Sequence, residues 1–209
     1  MFNPTEIIFS VTTSCNLHCP HCFVSRKPAS LKAEDAINFL KSARESENSQ
    51  IEKVGFSGGE PFLNLDFLCK VIKSAIDLDF MFDRIMTNGD WWKTKEDLLE
   101  TLKKIYDAGY DGKIGLSYDN FHAQSEERVS VFIQAVWDVF GSDAIEIQSV
   151  TGEVSPSLQP PRLPSSGEPF SATPSTGVGS AHTCGDKTCE TGFERVSVKA
   201  VPEPVPQKG

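Results

Sequence analysis

EIIFSVTTSCNLHCPHCF, residues 6–23, opens on an apolar run and ends with three cysteines and two histidines within eight positions. EIIFSV has the length and composition of a short buried strand, and the pattern recurs along the chain. KVGFSGG (53–59), RIMTNG (84–89), KIGLSYD (113–119) and AIEIQSV (144–150) are four more runs of the same kind. Helical spacing fills the gaps between them. Ala33, Ala36, Ile37, Leu40 and Ala43 follow a cap expected at Ser30, and Leu68, Val71, Ile72 and Ala75 make a second stripe. Leu98, Leu99, Leu102 and Ile105 follow Thr94 and Asp97 in capping-box spacing and stop at Gly109; Val129, Phe132, Ile133, Val136 and Phe140 stop at Gly141. Strands joined by single amphipathic helices imply right-handed crossovers and an α/β fold with a parallel sheet, either barrel-like or open and doubly wound.

The chain has 209 residues, 39% hydrophobic and 23% charged, which suits one globular domain with a small appendage. Residues 1–150 are expected to form the core. In 151–209 the character changes: 9 of the 13 prolines fall between Pro156 and Pro206, and SPSLQPPRLPSSGEPFSATPSTGVGS has no helical or strand period. Only FERVSVKAV (193–201) alternates well enough there for a sixth strand. No apolar run is long enough to span a membrane, and MFNPTEIIFS lacks the basic and small-residue pattern of a signal peptide, so the expected compartment is the cytoplasm. A net charge of −9 disfavours nucleic acid as a partner, because nonspecific affinity for it comes from many Lys and Arg contacts.

In a reducing compartment clustered cysteines are metal or cofactor ligands more often than disulfides. Cys15, Cys19 and Cys22 have C-x3-C-x2-C spacing in the loop leaving the first strand, on the face where parallel α/β folds place their chemistry. Three thiolates hold three irons of a four-iron cluster and leave the fourth open. Zinc is the competing reading, with His18 or His21 as fourth ligand. One βα unit later GFSGGEPF supplies Gly58, Gly59, Glu60 and Pro61. Paired glycines at a strand end let backbone approach a ligand, and the carboxylate suits a cationic group; a tight turn with a solvated acid is the plainer alternative.

Taken together, CNLHCPHC, GGE (58–60), MTNG (86–89) and LSYDNFH (116–122), in order on successive strands, resemble the radical S-adenosylmethionine (radical SAM) enzymes over roughly residues 5–150. The resemblance implies a partial (β/α)6 TIM-like barrel with a 4Fe-4S cluster on Cys15, Cys19 and Cys22 and S-adenosyl-L-methionine on the open iron. It further implies that Gly58, Gly59 and Glu60 receive the methionyl ammonium and that Ser117 and Asp119 lie near the ribose. Thr87 and Asn88 would be pocket walls, and His21, where the family usually has an aromatic residue, would pack near the adenine. Such an enzyme cleaves the cofactor reductively to a 5'-deoxyadenosyl radical that takes hydrogen from a substrate, here by analogy a peptide or protein. It draws its electron from a donor such as a flavodoxin or ferredoxin.

Two further readings compete: a noncatalytic zinc or iron-sulfur module, and a truncated inactive homologue, since a proline-rich stretch replaces the expected fifth helix. Other residues carry weaker signals. Cys69 reads as a core thiol, while Trp91, Trp92 and His122 either face the pocket or pack. Glu146 and Gln148 alternate along the fifth strand and are candidates to point into the barrel, and Cys184 and Cys189 read as free thiols or a local metal contact.

Overall fold

The computed structural model describes residues 3–25, 27–119, 122 and 124–149. Five strands, β1 (Glu6–Ser10), β2 (Lys53–Ser57), β3 (Met81–Thr87), β4 (Lys113–Ser117) and β5 (Ile145–Gln148), alternate with four helices, α1 (Ala33–Glu45), α2 (Leu65–Asp77), α3 (Lys95–Asp107) and α4 (Glu126–Phe140). The sheet runs β1-β2-β3-β4-β5 with every pairing parallel. A doubly wound sheet would need the strand order to reverse at a switch point. Here it never reverses, so right-handed crossovers carry every helix to the same face. That is the winding of a partial barrel, and it decides the choice the sequence left open. The expected sixth strand at 193–201, the tail from 151 and both Cys184 and Cys189 lie outside the described residues.

The outer face of the sheet makes the core. Val54 and Phe56 of β2, Ile85 of β3, and Ile114 and Leu116 of β4 are fully buried. They pack against Leu40, Leu68, Val71, Ile72, Leu98, Leu102, Ile105, Phe132 and Val136 of the helices. Phe9 shows the contact directly, meeting Phe39 of α1 and Phe67 of α2 edge-on with ring centroids 6.2 and 6.5 Å apart. Each such side chain contributes about 1.5–3 kcal/mol by leaving water. The opposite, inner face mixes charged with apolar side chains. Arg84 pairs there with Glu146 across β4 at 2.9 Å, and Glu6, Ile8, Ser57, Asp83, Arg84 and Met86 line a hollow of about 300 Å³. Glu146 is therefore held by an ion pair on that face.

The helix starts reward short polar side chains. Thr94 Oγ1 accepts from Asp97 N at 3.2 Å, the expected cap of α3, and Asn64 Oδ1 accepts from Phe67 N to open α2. Ser30 does not cap α1, which starts after Lys32 with no side-chain cap. Ser30 instead forms an isolated antiparallel bridge with Thr12, and its hydroxyl meets Thr12 Oγ1 at 3.1 Å. Thr13 N donates to Ala29 O and Leu31 N to Val11 O at 2.9 and 3.0 Å. The chain leaving β1 thus returns beside itself, and this neck closes the cysteine loop before the helix begins.

Candidate active site

Three loops meet beyond the C-terminal ends of β1, β2 and β3. The first is the cysteine loop above its neck, in which Cys15 and Cys19 are half-buried, Cys22 is exposed, and none is in a disulfide. The second is the GGEP turn after β2. Its amides pin it to the first, with Gly59 N donating to Thr12 O at 2.6 Å and Glu60 N to Ser14 O at 2.8 Å. A side chain on Gly58, whose φ is +132°, would put its Cβ 2.5 Å from Thr12 O, and one on Gly59 would drive into the Ser14 carbonyl. The glycines are therefore required by an approach to the chain's own loop, which sequence reasoning had assigned to a ligand.

Glu60 binds the third loop. It is fully buried, caps the short 3-10 turn Pro61–Asn64 through Phe62 N at 3.2 Å, and accepts from Thr87 Oγ1 and Asn88 N at 2.9 Å each. Burial pushes its carboxyl up to about 7, against the pull of Asn88, Thr87 and Phe62, which favour the ion. Both oxygens are thus engaged inside the protein.

Asn88 closes the arrangement. Its Nδ2 donates to Asn16 Oδ1 at 3.0 Å and to Cys15 Sγ at 3.5 Å, while Leu17 N donates to the same sulfur at 3.4 Å. Asn16 Nδ2 in turn donates to Asp90 O at 2.9 Å. The β4 side joins through Gln124, whose Nε2 donates to the carbonyls of Ser117, at 3.0 Å, and Asn88. Beside it the buried Asp119 carboxylate meets His122 Nδ1 at 2.7 Å, and the His122 ring meets His21 edge-on with centroids 4.7 Å apart. Every cofactor residue expected from the sequence thus lies in this loop cluster.

The set of motifs gathered here matches one family. The family model of the radical SAM superfamily matches residues 9–111. The chain belongs to the radical SAM superfamily. It is 35% identical over 170 residues to the S-adenosylmethionine-dependent nucleotide dehydratase RSAD2 of Siniperca chuatsi, which covers 71% of this chain and 47% of that protein. It is 32% identical over 133 residues to a GTP 3',8-cyclase of Aliarcobacter butzleri, covering 58% and 36%, respectively. The antilisterial bacteriocin subtilosin biosynthesis protein AlbA of Bacillus subtilis is 24% identical over 172 residues, covering 72% of this chain and 37% of its own. The radical SAM chain thus spans less than half the length of each of these relatives.

The donor set of this radical SAM chain fits an iron-sulfur cluster. Two N–H groups, of Leu17 and Asn88, converge on Cys15 Sγ, and hydrogen bonds to a ligating sulfur are a feature of iron-sulfur sites. Among the described residues no three Cys, His, Asp or Glu side chains converge on a point that would hold a single ion. A cubane cluster requires no such convergence, since each thiolate binds a different iron. Both tryptophans following MTNG make packing contacts. Trp92 is buried, donates to Gly89 O at 2.9 Å and lies under the Arg128 guanidinium; Trp91 stacks on Phe62 at 4.8 Å. Cys69 is half-buried on α2 and packs against the core, as a core thiol should.

Sequence reasoning missed Asn16, Gln124 and Arg128. Asn16 stood in plain sight between two cysteines, and an amide there is suited to tie the loop to backbone. Gln124 and Arg128 carry no motif, and only the docking of α4 brings them to the loop after β3.

Proposed function

We propose that the chain is a radical SAM enzyme in which Cys15, Cys19 and Cys22 hold a 4Fe-4S cluster with one iron left for S-adenosyl-L-methionine. The observation that carries this reading is the convergence of the three loops on Cys15, with the GGE turn laced to the cysteine loop and the MTNG turn donating to the sulfur. When bound, cluster and cofactor supply one-electron cleavage to a 5'-deoxyadenosyl radical, which takes hydrogen from the substrate. The protein's own work is placement. Gly58 and Gly59 present backbone to the methionyl ammonium, Ser117 and Asp119 stand for the ribose, and His21 stands for the adenine. Thr87 and Asn88 form the wall between them.

The substrate class we infer is a peptide or protein, in keeping with a relative named for bacteriocin biosynthesis. A nucleotide is the second reading, favoured by the 35% identity to a nucleotide dehydratase across 71% of the chain. The electron donor in this reading is a flavodoxin or ferredoxin, and the compartment is the cytoplasm; no helix among the described residues is long and apolar enough to cross a membrane.

The test is anaerobic reconstitution with iron and sulfide, then addition of reductant and S-adenosyl-L-methionine. Release of 5'-deoxyadenosine is expected, together with a change in the cluster's paramagnetic resonance on cofactor binding and loss of the cluster in Cys19→Ala. Bound zinc in place of iron, or a cluster whose spectrum ignores the cofactor, would refute it. Peptide and nucleotide libraries offered to the loaded enzyme then separate the two substrate classes by which one raises deoxyadenosine release.

A further inference from the structure

The side-chain amide of Asn88 uses every hydrogen-bonding group it has, and backbone fixes its orientation. Asp90 N can only donate, so the atom it meets at 2.8 Å must be Asn88 Oδ1. Asp90 O can only accept, so the atom of Asn16 that meets it is Nδ2, which turns Asn16 Oδ1 toward Asn88. Asn88 Nδ2 then has one N–H on Asn16 and one directed at Cys15 Sγ. An amide flip would place two acceptors, Asn88 Oδ1 and Asn16 Oδ1, face to face and Asn88 Nδ2 against the Asp90 N–H. The backbone of the same residue is also held, its N–H by Glu60 and its carbonyl by Gln124. Asn88 is 7% exposed, so water competes little for these bonds.

We propose that Asn88 is a positioning residue that tunes the cluster through Cys15: its Nδ2–H hydrogen bond to the ligating sulfur raises the cluster's reduction potential, and the Glu60 carboxylate fixes the strand end from which it acts. The proposal rests on the cluster assignment above. A donor to a ligand sulfur draws charge from it and favours the reduced state, the more negative of the two. Asn88 joins the GGE turn, through its backbone N–H, to the Cys15 sulfur, through its side chain, so the turn that receives the cofactor and the ligand that receives the electron share one residue.

The variant that removes the donor without adding a charge is Asn88→Leu, which keeps the approximate size of the side chain while losing Nδ2–H and the acceptor for Asp90 N. The full chain and the variant are reconstituted anaerobically, their iron and sulfide counted, and their midpoint potentials read by paramagnetic resonance during a reductive titration. At equal iron content the variant's midpoint is expected to be more negative, with the equilibrium for reduction falling about tenfold, which is 59 mV for one electron. A second measurement needs no variant: wild-type chain carrying nitrogen-15 in its asparagine amides is expected to show a weak nitrogen-15 coupling in the pulsed resonance of the reduced cluster. An unchanged or less negative midpoint at equal loading, or no such coupling, overturns the proposal and leaves the cluster assignment standing. If Asn88→Leu does not load, the coupling in the wild-type chain decides. If the wild-type chain itself loads no cluster, the functional reading and this inference fall together.

Discussion

The two halves of the site are built differently. On the β1–β3 side, backbone and buried side chains bind three loops into one body: Gly59 and Glu60 donate to the cysteine loop, and the Glu60 carboxylate grips the turn after β3. On the β4 side the links are side chains alone: Gln124 bridges Asn88 and Ser117, Arg128 reaches Asp90 and Trp92, and His122 meets His21, while Gln124 Oε1 is buried with no partner among the described residues. The first half is organised before any ligand arrives. The second carries an acceptor whose burial costs free energy until a donor reaches it. On the proposed reading the laced half would hold the cluster ligands and the looser half would receive the nucleoside.

The largest effect expected from breaking the laced half is Gly59→Ala. The added methyl has nowhere to go except into the Ser14 carbonyl, so two loops must separate, at a cost of about 3 kcal/mol or more. Thermal denaturation should show it, together with loss of iron loading, and an unchanged melting temperature would mean the turn is not packed this way.

Next comes Glu60. Its folded pKa of about 7 lies above the ordinary 4.5, so the native state holds its proton longer than the unfolded chain. Below 4.5 both states are protonated and the group has no effect on stability. As pH rises from about 4.5 to about 7 the unfolded chain ionises first and stability falls, then levels off. Denaturant midpoints for wild type minus Glu60→Gln should decline by about 3 kcal/mol over that window, using 1.36 kcal/mol per pKa unit. A flat difference would show that the three donors already hold the carboxylate ionised.

A smaller effect is expected on the looser side. Gln124→Ala removes two hydrogen bonds and one orphaned acceptor, so the net cost should be about 1 kcal/mol in urea denaturation. A loss as large as that from Gly59→Ala would erase the contrast between the halves. Smallest of all, Lys104→Ala removes an exposed pair with Glu100 on α3 and should leave both stability and loading unchanged.

Much of the fold was legible because its signals are local. Five apolar runs separated by helical stripes fixed the elements, and Thr94 and Asp97 marked the start of α3 to the residue. Ser30 misled because a capping hydroxyl and one that hydrogen-bonds across the neck look alike in sequence, and only the return of the chain beside Thr12 decides between them. Barrel against doubly wound sheet was beyond a single chain's periodicity, since both have the same alternation and differ only in strand order. In the site, the cysteines were singled out by their spacing and GGE by its place one βα unit later. The reason for the glycines was not legible, because the carbonyls of Thr12 and Ser14 that require them leave no mark on the sequence.

A sheet whose strands stand in chain order can also be assembled in the order it is synthesised, each βα unit docking on its finished predecessor. The cysteine loop is made first, and the amide that donates to Cys15 is made 73 residues later. At the usual pace of translation that interval is about 4–15 s. The hydrogen bond from Asn88 to Cys15 cannot form before that interval has passed.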